Sequence, residues 1–320
     1  MQSFRLVLVG FGIVGQGFAQ LLQTKHAYLL EQCGVDLRLV GVANARHGLI
    51  YREEGLHLPT LLELAAAKRP LSDYPGAAHW QTALDGLRAV EADALVEASP
   101  TNLRDAEPAL SHMRIALSNR MHVVTANKGP GALAASELFA LARQNGVQLR
   151  MESAVMAGTP VLSTIREGMA GARVNAIRGI LNGTTNYILT GMSSGQDYAD
   201  ALAQAQAKGY AESDPTADVE GYDAVAKTMI LAALVFNHPL KVEEVRRVGI
   251  AQISRQQVQA AADAGQRIKL IASLQLHPGV DGQSASLEAS VQPTALPLSD
   301  PLARVDGAMN AITIHADTLS

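Results

Sequence analysis

FRLVLVGFGIVG, residues 4–15, is an apolar run that leads directly into three spaced glycines. A nearly continuous apolar run such as residues 4–9 is typical of a parallel strand that is buried on both faces. A helical pattern follows the glycines, so they occupy a turn between a strand and a helix. Further apolar runs alternate with helix-compatible segments at 37–43, 94–98 and 122–125. The sequence therefore predicts an α/β fold with a doubly wound parallel sheet of the Rossmann type.

The three glycines have the spacing of a turn that binds a dinucleotide. Gly10 permits a tight turn, Gly12 lets the backbone approach a pyrophosphate, and Gly15 allows the helix to pack closely. The following helix would offer its first N–H groups, around Ile13 and Val14, to the same anion. The alternative is a glycine-rich turn without a ligand, but the flanking strand and helix favour NAD or NADP.

The end of the second strand carries no carboxylate that would bind the adenosine ribose of NAD. The chain reads Asn44-Ala45-Arg46 at this point. Arg46 favours the 2′-phosphate of NADP, and the alternative is an ordinary arginine on the surface. Both coenzymes therefore remain candidates, with NADP favoured.

Composition indicates a two-domain chain whose partners are small molecules. The 320 residues are 48% hydrophobic and 4% aromatic, and the net charge is −4, which argues against nucleic acid and anionic membranes as partners. The apolar runs are shorter than the roughly 20 residues that a bilayer span needs, so we expect a cytoplasmic protein. Cys33 is the single cysteine, which excludes an intramolecular disulfide.

Two domains are predicted to meet near residue 145. Residues 1–145 form the NAD(P)-binding domain, joined by part of 300–320. Residues 146–300 form an α+β domain whose strands are expected at 147–155, 174–181, 268–276 and 285–291.

Lys227 and Thr228 are the two polar residues of an otherwise apolar helix that follows a charged stretch at 209–223. A helix that is apolar on every side is buried, so Lys227 is expected to point into protein or a cleft. Asp223 lies four residues earlier, on the same helical face, where it can pair with the ammonium. Such a pair is suited to proton transfer, and the alternative is a structural ion pair.

Two further segments leave their roles open. Asn182-Gly183 is typical of a hairpin turn, but it also fits the start of a helix at Thr184 whose N–H groups receive a substrate carboxylate. Lys128 follows a strand at its carboxyl edge, where ligands bind in such folds, and the alternative is a surface lysine.

Taken together, these segments resemble homoserine dehydrogenase through almost the whole chain. The resemblance is carried by the glycine turn and by residues 97–101, 124–128, 152–160, 179–184 and 205–227. The last segment is the most specific, because it combines Gly-Tyr, Glu-x-Asp-Pro and Gly-x-Asp with a lysine four residues further on. The form that it resembles has neither an ACT domain nor a fused aspartokinase.

The resemblance implies NAD(P)-dependent interconversion of L-homoserine and L-aspartate 4-semialdehyde, in the pathway to threonine and methionine. It assigns acid/base catalysis to Lys227, and catalytic roles to Asp223 and Lys128. Substrate contacts are implied at Glu212, Asp218, Asp223, Gly183, Thr184 and Tyr210. Cofactor contacts are implied at Ser99, Pro100 and Lys128, and a sodium ion at Glu152, Val155, Ala157 and Thr159. A homodimer through the sheet of the second domain is also implied.

Two features depart from the family pattern. Met156 stands where relatives often have a small residue, and relatives generally continue beyond residue 320 into another strand and a helix. An NAD(P)-binding sensor or scaffold without turnover therefore stays open as an alternative. A semialdehyde dehydrogenase would need a nucleophilic cysteine, and Cys33 lies in the first crossover, where it is badly placed.

Overall fold

The computed structural model describes residues 2–279 and 285–318, and the chain divides into two units between Ala157 and Gly158. The division lies after the predicted boundary at residue 145. The reason is a short strand, Leu149–Arg150, which pairs in parallel with the strand His122–Thr125 of the first sheet. The expectation that the run at 147–155 opens the second sheet was therefore wrong.

A seven-stranded sheet organises the first unit. Its strands are β1 (Gln2–Val9), β2 (Val35–Asn44), β3 (Gly48–Tyr51), β4 (Ala78–Trp80), β5 (Ala94–Glu97), β6 (His122–Thr125) and β7 (Leu149–Arg150). The helices are α1 (Ile13–Cys33), α2 (Leu58–Ala66), α3 (Ala83–Ala89), α4 (Ala109–Ser118) and α5 (Lys128–Gln144). The strand order is β4-β3-β2-β1-β5-β6-β7, and β2, β1, β5, β6 and β7 are parallel. The predicted Rossmann-type sheet is confirmed, with β3 and β4 as an antiparallel extension.

Apolar residues of β1 occupy the centre of this sheet, as the opening run predicts. Val7 and Leu8 have no exposed surface, and Val9 is 2% exposed. Leu8 belongs to a core cluster that includes Ala19 of α1 and Leu61 of α2. This packing fixes the carboxyl end of β1, where the glycine turn begins.

The second unit has its own five-stranded sheet. Its strands are β8 (Val174–Ile180), β9 (Val245–Arg247), β10 (Gln266–His277), β11 (Ser286–Pro297) and β12 (Ala311–Ala316), in the order β12-β8-β10-β11-β9. Its helices are α6 (Val161–Ser163), α7 (Gly183–Ser193), α8 (Tyr198–Ala207), α9 (Thr216–Val219), α10 (Tyr222–Val235) and α11 (Arg255–Asp263). A long antiparallel pairing of β10 with β11 forms the middle of the sheet.

Residues 300–318 belong to the second unit, which corrects the expectation that part of them joins the first domain. β12 pairs antiparallel with β8, so the backbone groups of this segment are satisfied in the second sheet. The loop before β12 is held by Lys269, whose Nζ donates to the carbonyl of Val305 at 2.6 Å and to Asn186 Oδ1 at 3.0 Å.

α10 is a largely buried helix of the second unit. Its residues from Ala224 to Ala233 are buried apart from Lys227, as its apolar pattern predicts. None of the helices within residues 2–279 and 285–318 combines the length and apolarity that crossing a bilayer requires.

Candidate active site

The glycine turn between β1 and α1 is shaped by close backbone contacts. Gly10 has a φ of 101°, and a Cβ there would lie 2.3 Å from the carbonyl carbon of Ala98. A Cβ at Gly15 would lie 2.1 Å from the carbonyl oxygen of Gly10. At Gly12, by contrast, no heavy atom lies within 4 Å of the added Cβ. Packing therefore requires Gly10 and Gly15, whereas Gly12 leaves open space beside the backbone.

The N-terminus of α1 faces this open space without a side-chain cap. Gly12 is the N-cap residue, and the side chains of Ile13 and Val14 are 93% and 60% exposed. Uncapped N–H groups at the start of a 21-residue helix attract anions, because the helix dipole adds to their hydrogen bonds. These residues fit the pyrophosphate of NAD or NADP.

The turn after β2 presents Arg46 at the same edge of the sheet. Asn44 shapes this turn, since its Oδ1 accepts the backbone N–H groups of Arg46 at 3.0 Å and His47 at 2.7 Å. The Arg46 side chain is exposed. A cation therefore stands at the end of β2, where the sequence predicted it.

Ser99, Pro100 and Lys128 meet at the carboxyl ends of β5 and β6. Asn127 joins them: its Nδ2 donates to the carbonyls of Ser99 at 3.0 Å and Pro100 at 3.2 Å, and its Oδ1 caps α5. Lys128 is the first residue of α5 and is half-buried. Sequence reasoning missed Asn127, although an asparagine just before a helix is a recognisable N-cap signal.

In the second unit, Asn182-Gly183 starts a helix and does not form a hairpin turn. α7 begins at Gly183, and Asn182 caps it by accepting the N–H of Thr185 at 2.8 Å. The Nδ2 of Asn182 donates to Asp218 Oδ1 at 2.6 Å and to Asp223 Oδ2 at 3.0 Å. One amide group thus joins two carboxylates that lie on different helices.

Lys227 forms the ion pair that its spacing from Asp223 predicts. Its Nζ lies 2.7 Å from Asp223 Oδ2 and donates to the backbone carbonyl of Leu181 at 2.5 Å. The two side chains are only 14% and 15% exposed. An ammonium is therefore held beside the N-terminus of α7, within a small and largely buried polar cluster.

Asp218 is a half-buried carboxyl group of this cluster. Burial raises its pKa, and the negative charge of Asp223 adds to that effect, whereas the hydrogen bond from Asn182 opposes it. The hydroxyl of Thr184 donates to the Tyr210 carbonyl at 2.6 Å, which joins the loop after α8 to α7. Tyr210 is 47% exposed, so it lies at the surface of the cluster.

Two predicted substrate residues have contacts that the sequence did not anticipate. The side chain of Glu212 is exposed, and its main-chain carbonyl accepts a bond from Gln206 Nε2 at 3.1 Å. A Cβ at Gly183 would lie 2.6 Å from the Ala308 carbonyl oxygen, so the loop before β12 needs a glycine here.

The predicted sodium residues lie around the division between the units. The backbone N–H of Val155 donates to the Glu152 carbonyl at 3.2 Å, and the Thr159 carbonyl accepts the N–H of Val161 at 2.8 Å. Ala157 is exposed, whereas the divergent Met156 is buried in the first unit. Within the described part of the chain, no three His, Cys, Asp or Glu side chains cluster as metal ligands would.

Both units match family models of one enzyme. The model described as homoserine dehydrogenase matches residues 160–320, and the one described as its NAD-binding domain matches residues 10–152. The chain is 40% identical to the NAD(+)-dependent homoserine dehydrogenase of Pseudomonas canavaninivorans, over 100% of this chain and 89% of that protein. It is 36% identical to the homoserine dehydrogenase of Methanocaldococcus jannaschii, over 98% and 89% of the two chains.

Solved structures agree with these matches. A homoserine dehydrogenase from Thiobacillus denitrificans has a TM-score of 0.80 and 33% identity, and covers 100% of this chain and 67% of its own. A hyperthermophilic archaeal homoserine dehydrogenase mutant in complex with NADPH has a TM-score of 0.82 and 29% identity, over 99% and 89%. This chain therefore belongs to the homoserine dehydrogenase family of NAD(P)-dependent oxidoreductases.

Proposed function

We propose that the chain interconverts L-homoserine and L-aspartate 4-semialdehyde, with Lys227 as the acid/base residue. The observation that carries the proposal is the largely buried ammonium of Lys227, held between Asp223 and the Leu181 carbonyl beside the start of α7. Bound NAD or NADP supplies the hydride donor or acceptor.

Lys227 moves the proton that accompanies hydride transfer. In the reducing direction its ammonium donates a proton to the oxygen of the aldehyde as negative charge develops there, and in the oxidising direction its neutral amine accepts the hydroxyl proton. Asp223 and the Leu181 carbonyl both accept from this ammonium, and its third N–H is proposed to donate to the reacting oxygen. Asp223 is therefore proposed as the residue that holds the charged form of Lys227 in place.

The two charged groups of the amino-acid substrate are assigned to opposite features of the second unit. Asp218 and Glu212 are proposed to bind the α-ammonium, because a carboxylate pairs with it by a charge-assisted hydrogen bond. Gly183 and Thr184, at the N-terminus of α7, are proposed to bind the carboxylate, and Tyr210 to line the pocket. Support comes from the position of Asn182, which joins the helix start to Asp218.

Cofactor contacts are proposed at the glycine turn, Ser99, Pro100 and Lys128, with Lys128 also contributing to catalysis. Preference for NADP is proposed to come from Arg46, whose exposed guanidinium suits a 2′-phosphate.

A sodium ion, a homodimer and a cytoplasmic location complete the proposal. The carboxylate of Glu152 and the carbonyls of Val155, Ala157 and Thr159 are hard oxygen donors of the kind that such cations prefer. The family resemblance supports a dimer through the sheet of the second unit. Sedimentation of the purified chain tests the dimer, and metal analysis after dialysis into sodium-free buffer tests the ion.

Substrate class is tested by comparing L-homoserine with 4-hydroxybutyrate, which lacks only the α-amino group. We expect kcat/KM to fall at least a hundredfold for 4-hydroxybutyrate, because the half-buried carboxyl group of Asp218 would lack its ammonium partner. Equal kcat/KM values for the two alcohols would contradict the assignment of Asp218 and Glu212.

A further inference from the structure

A buried acid and a buried histidine lie near the carboxyl end of β5, beside the proposed cofactor site. Neither has a role in the proposed reaction. Glu97, the last residue of β5, has no exposed surface, and His112 of α4 is 4% exposed. His112 Nδ1 lies 3.5 Å from Glu97 Oε1. Within the described residues, Glu97 Oε2 and His112 Nδ1 have no hydrogen-bond partner. Burying polar atoms without hydrogen-bond partners costs free energy, and this cost indicates that the two residues have a function.

The satisfied oxygen of Glu97 holds the segment that follows β5. Oε1 accepts the hydroxyl of Ser99 at 2.5 Å and the backbone N–H of the same residue at 3.3 Å. On the other side of Ser99, Asn127 donates to its carbonyl at 3.0 Å and to its hydroxyl oxygen at 3.3 Å. The backbone and the side chain of Ser99 are therefore fixed from both sides.

The segment fixed in this way packs on the glycine turn. The Cβ position of Gly10 lies 2.5 Å from the backbone nitrogen of Ser99, so the two loops are in direct backbone contact. Asn127 is in turn the cap of α5, which begins with Lys128. A displacement of Ser99 would therefore also shift the backbone of the glycine turn and the start of α5.

We propose that Glu97 is a positioning residue for NAD(P), which acts through Ser99 and is packed against His112. Glu97 lies below the loop surface and does not itself touch the cofactor. A carboxylate acceptor strengthens both bonds from Ser99, and His112 Nδ1 lies 3.5 Å from the oxygen that accepts them. The inference rests on the cofactor site proposed at the glycine turn.

The test is the dissociation constant of NADPH and of NADH for Glu97→Gln, measured from the fluorescence of the reduced nicotinamide. Glutamine keeps an acceptor oxygen for Ser99 but removes the charge, so we expect binding to weaken about fivefold. At saturating cofactor, KM for L-homoserine is expected to stay within twofold of the wild-type value. Glu97→Ala, which removes the acceptor altogether, is expected to bind more weakly than Glu97→Gln.

Glu91→Gln is the matched control, because it makes the same chemical change just before β5, on an exposed side chain at the opposite edge of the sheet. Cofactor dissociation constants of Glu97→Gln within twofold of wild type would overturn the proposal, whatever the thermal stability. If Glu97→Gln is not recovered folded, His112→Asn takes its place under the same criterion. A wild-type chain that binds NADPH without oxidising homoserine contradicts the proposed reaction but leaves this binding test intact.

Discussion

Replacing Lys227 by methionine removes the proton donor while keeping a similar length and volume. The side chain of Lys227 is only 14% exposed, so bulk water is a poor substitute for its ammonium. Positioned acid/base groups contribute about 10²–10⁴ in rate, which corresponds to about 2.7–5.4 kcal/mol of transition-state stabilisation. We therefore expect kcat for homoserine oxidation to fall by that factor in Lys227→Met.

The fold is expected to survive this substitution. Asp223 loses its cation but still accepts Asn182 Nδ2 at 3.0 Å, and its side chain keeps 15% exposure. The lost stability should therefore be at most about 3 kcal/mol, the lower end for breaking a buried pair.

The assay follows the absorbance of the reduced nicotinamide during L-homoserine oxidation, with NADPH binding and thermal unfolding measured on the same samples. Lys25→Met, on the exposed face of α1, is the matched control and should keep wild-type rates. A Lys227→Met variant that folds, binds NADPH and turns over at the wild-type rate would refute the acid/base assignment.

Three further predictions concern the cofactor site and Asp218. Gly12→Ala should fold normally and lose at least tenfold in NADPH affinity, because its methyl group fills the open space beside the turn, whereas Gly17→Ala, also without a neighbour within 4 Å, should bind normally in the same titration. Arg46→Asp should lower kcat/KM for NADP at least tenfold and leave NAD nearly unchanged; equal losses for both coenzymes would argue against a 2′-phosphate contact. Burial raises the pKa of Asp218, so the native chain binds more protons than the unfolded chain between the ordinary and the raised pKa, and stability falls as the pH rises through that window. Asp218→Asn, which keeps an acceptor for Asn182, should abolish that fall in melting curves taken across acidic pH, while it raises KM for L-homoserine; an unchanged pH dependence would speak against burial as the cause.

Features fixed by local sequence were predictable. The strand, glycine turn and helix at residues 4–15 follow from apolar periodicity and from the conformational freedom of glycine, and the structure adds the reason for each glycine. The Asp223–Lys227 pair was equally predictable, because residues that are four positions apart on a helix lie on the same face.

Features that depend on distant partners were not predictable. The link from Asn182 to Asp218 spans 36 residues, and no local pattern distinguishes it from a hairpin turn. The contact of Glu97 with His112 likewise depends on how α4 packs on β5. β7 and β12 were assigned to the wrong units for the same reason. Each joins its sheet by pairing with a distant strand, β6 or β8, and no local pattern identifies that partner.

This chain is proposed to convert homoserine and to do more than bind its cofactor. The direct measurement is the initial rate of nicotinamide reduction by the wild-type chain with L-homoserine and either NADP or NAD, together with the reverse reaction on L-aspartate 4-semialdehyde. Homoserine-dependent turnover is expected in both directions. Binding of NADPH without turnover in either direction would contradict it and favour an NAD(P)-binding sensor or scaffold.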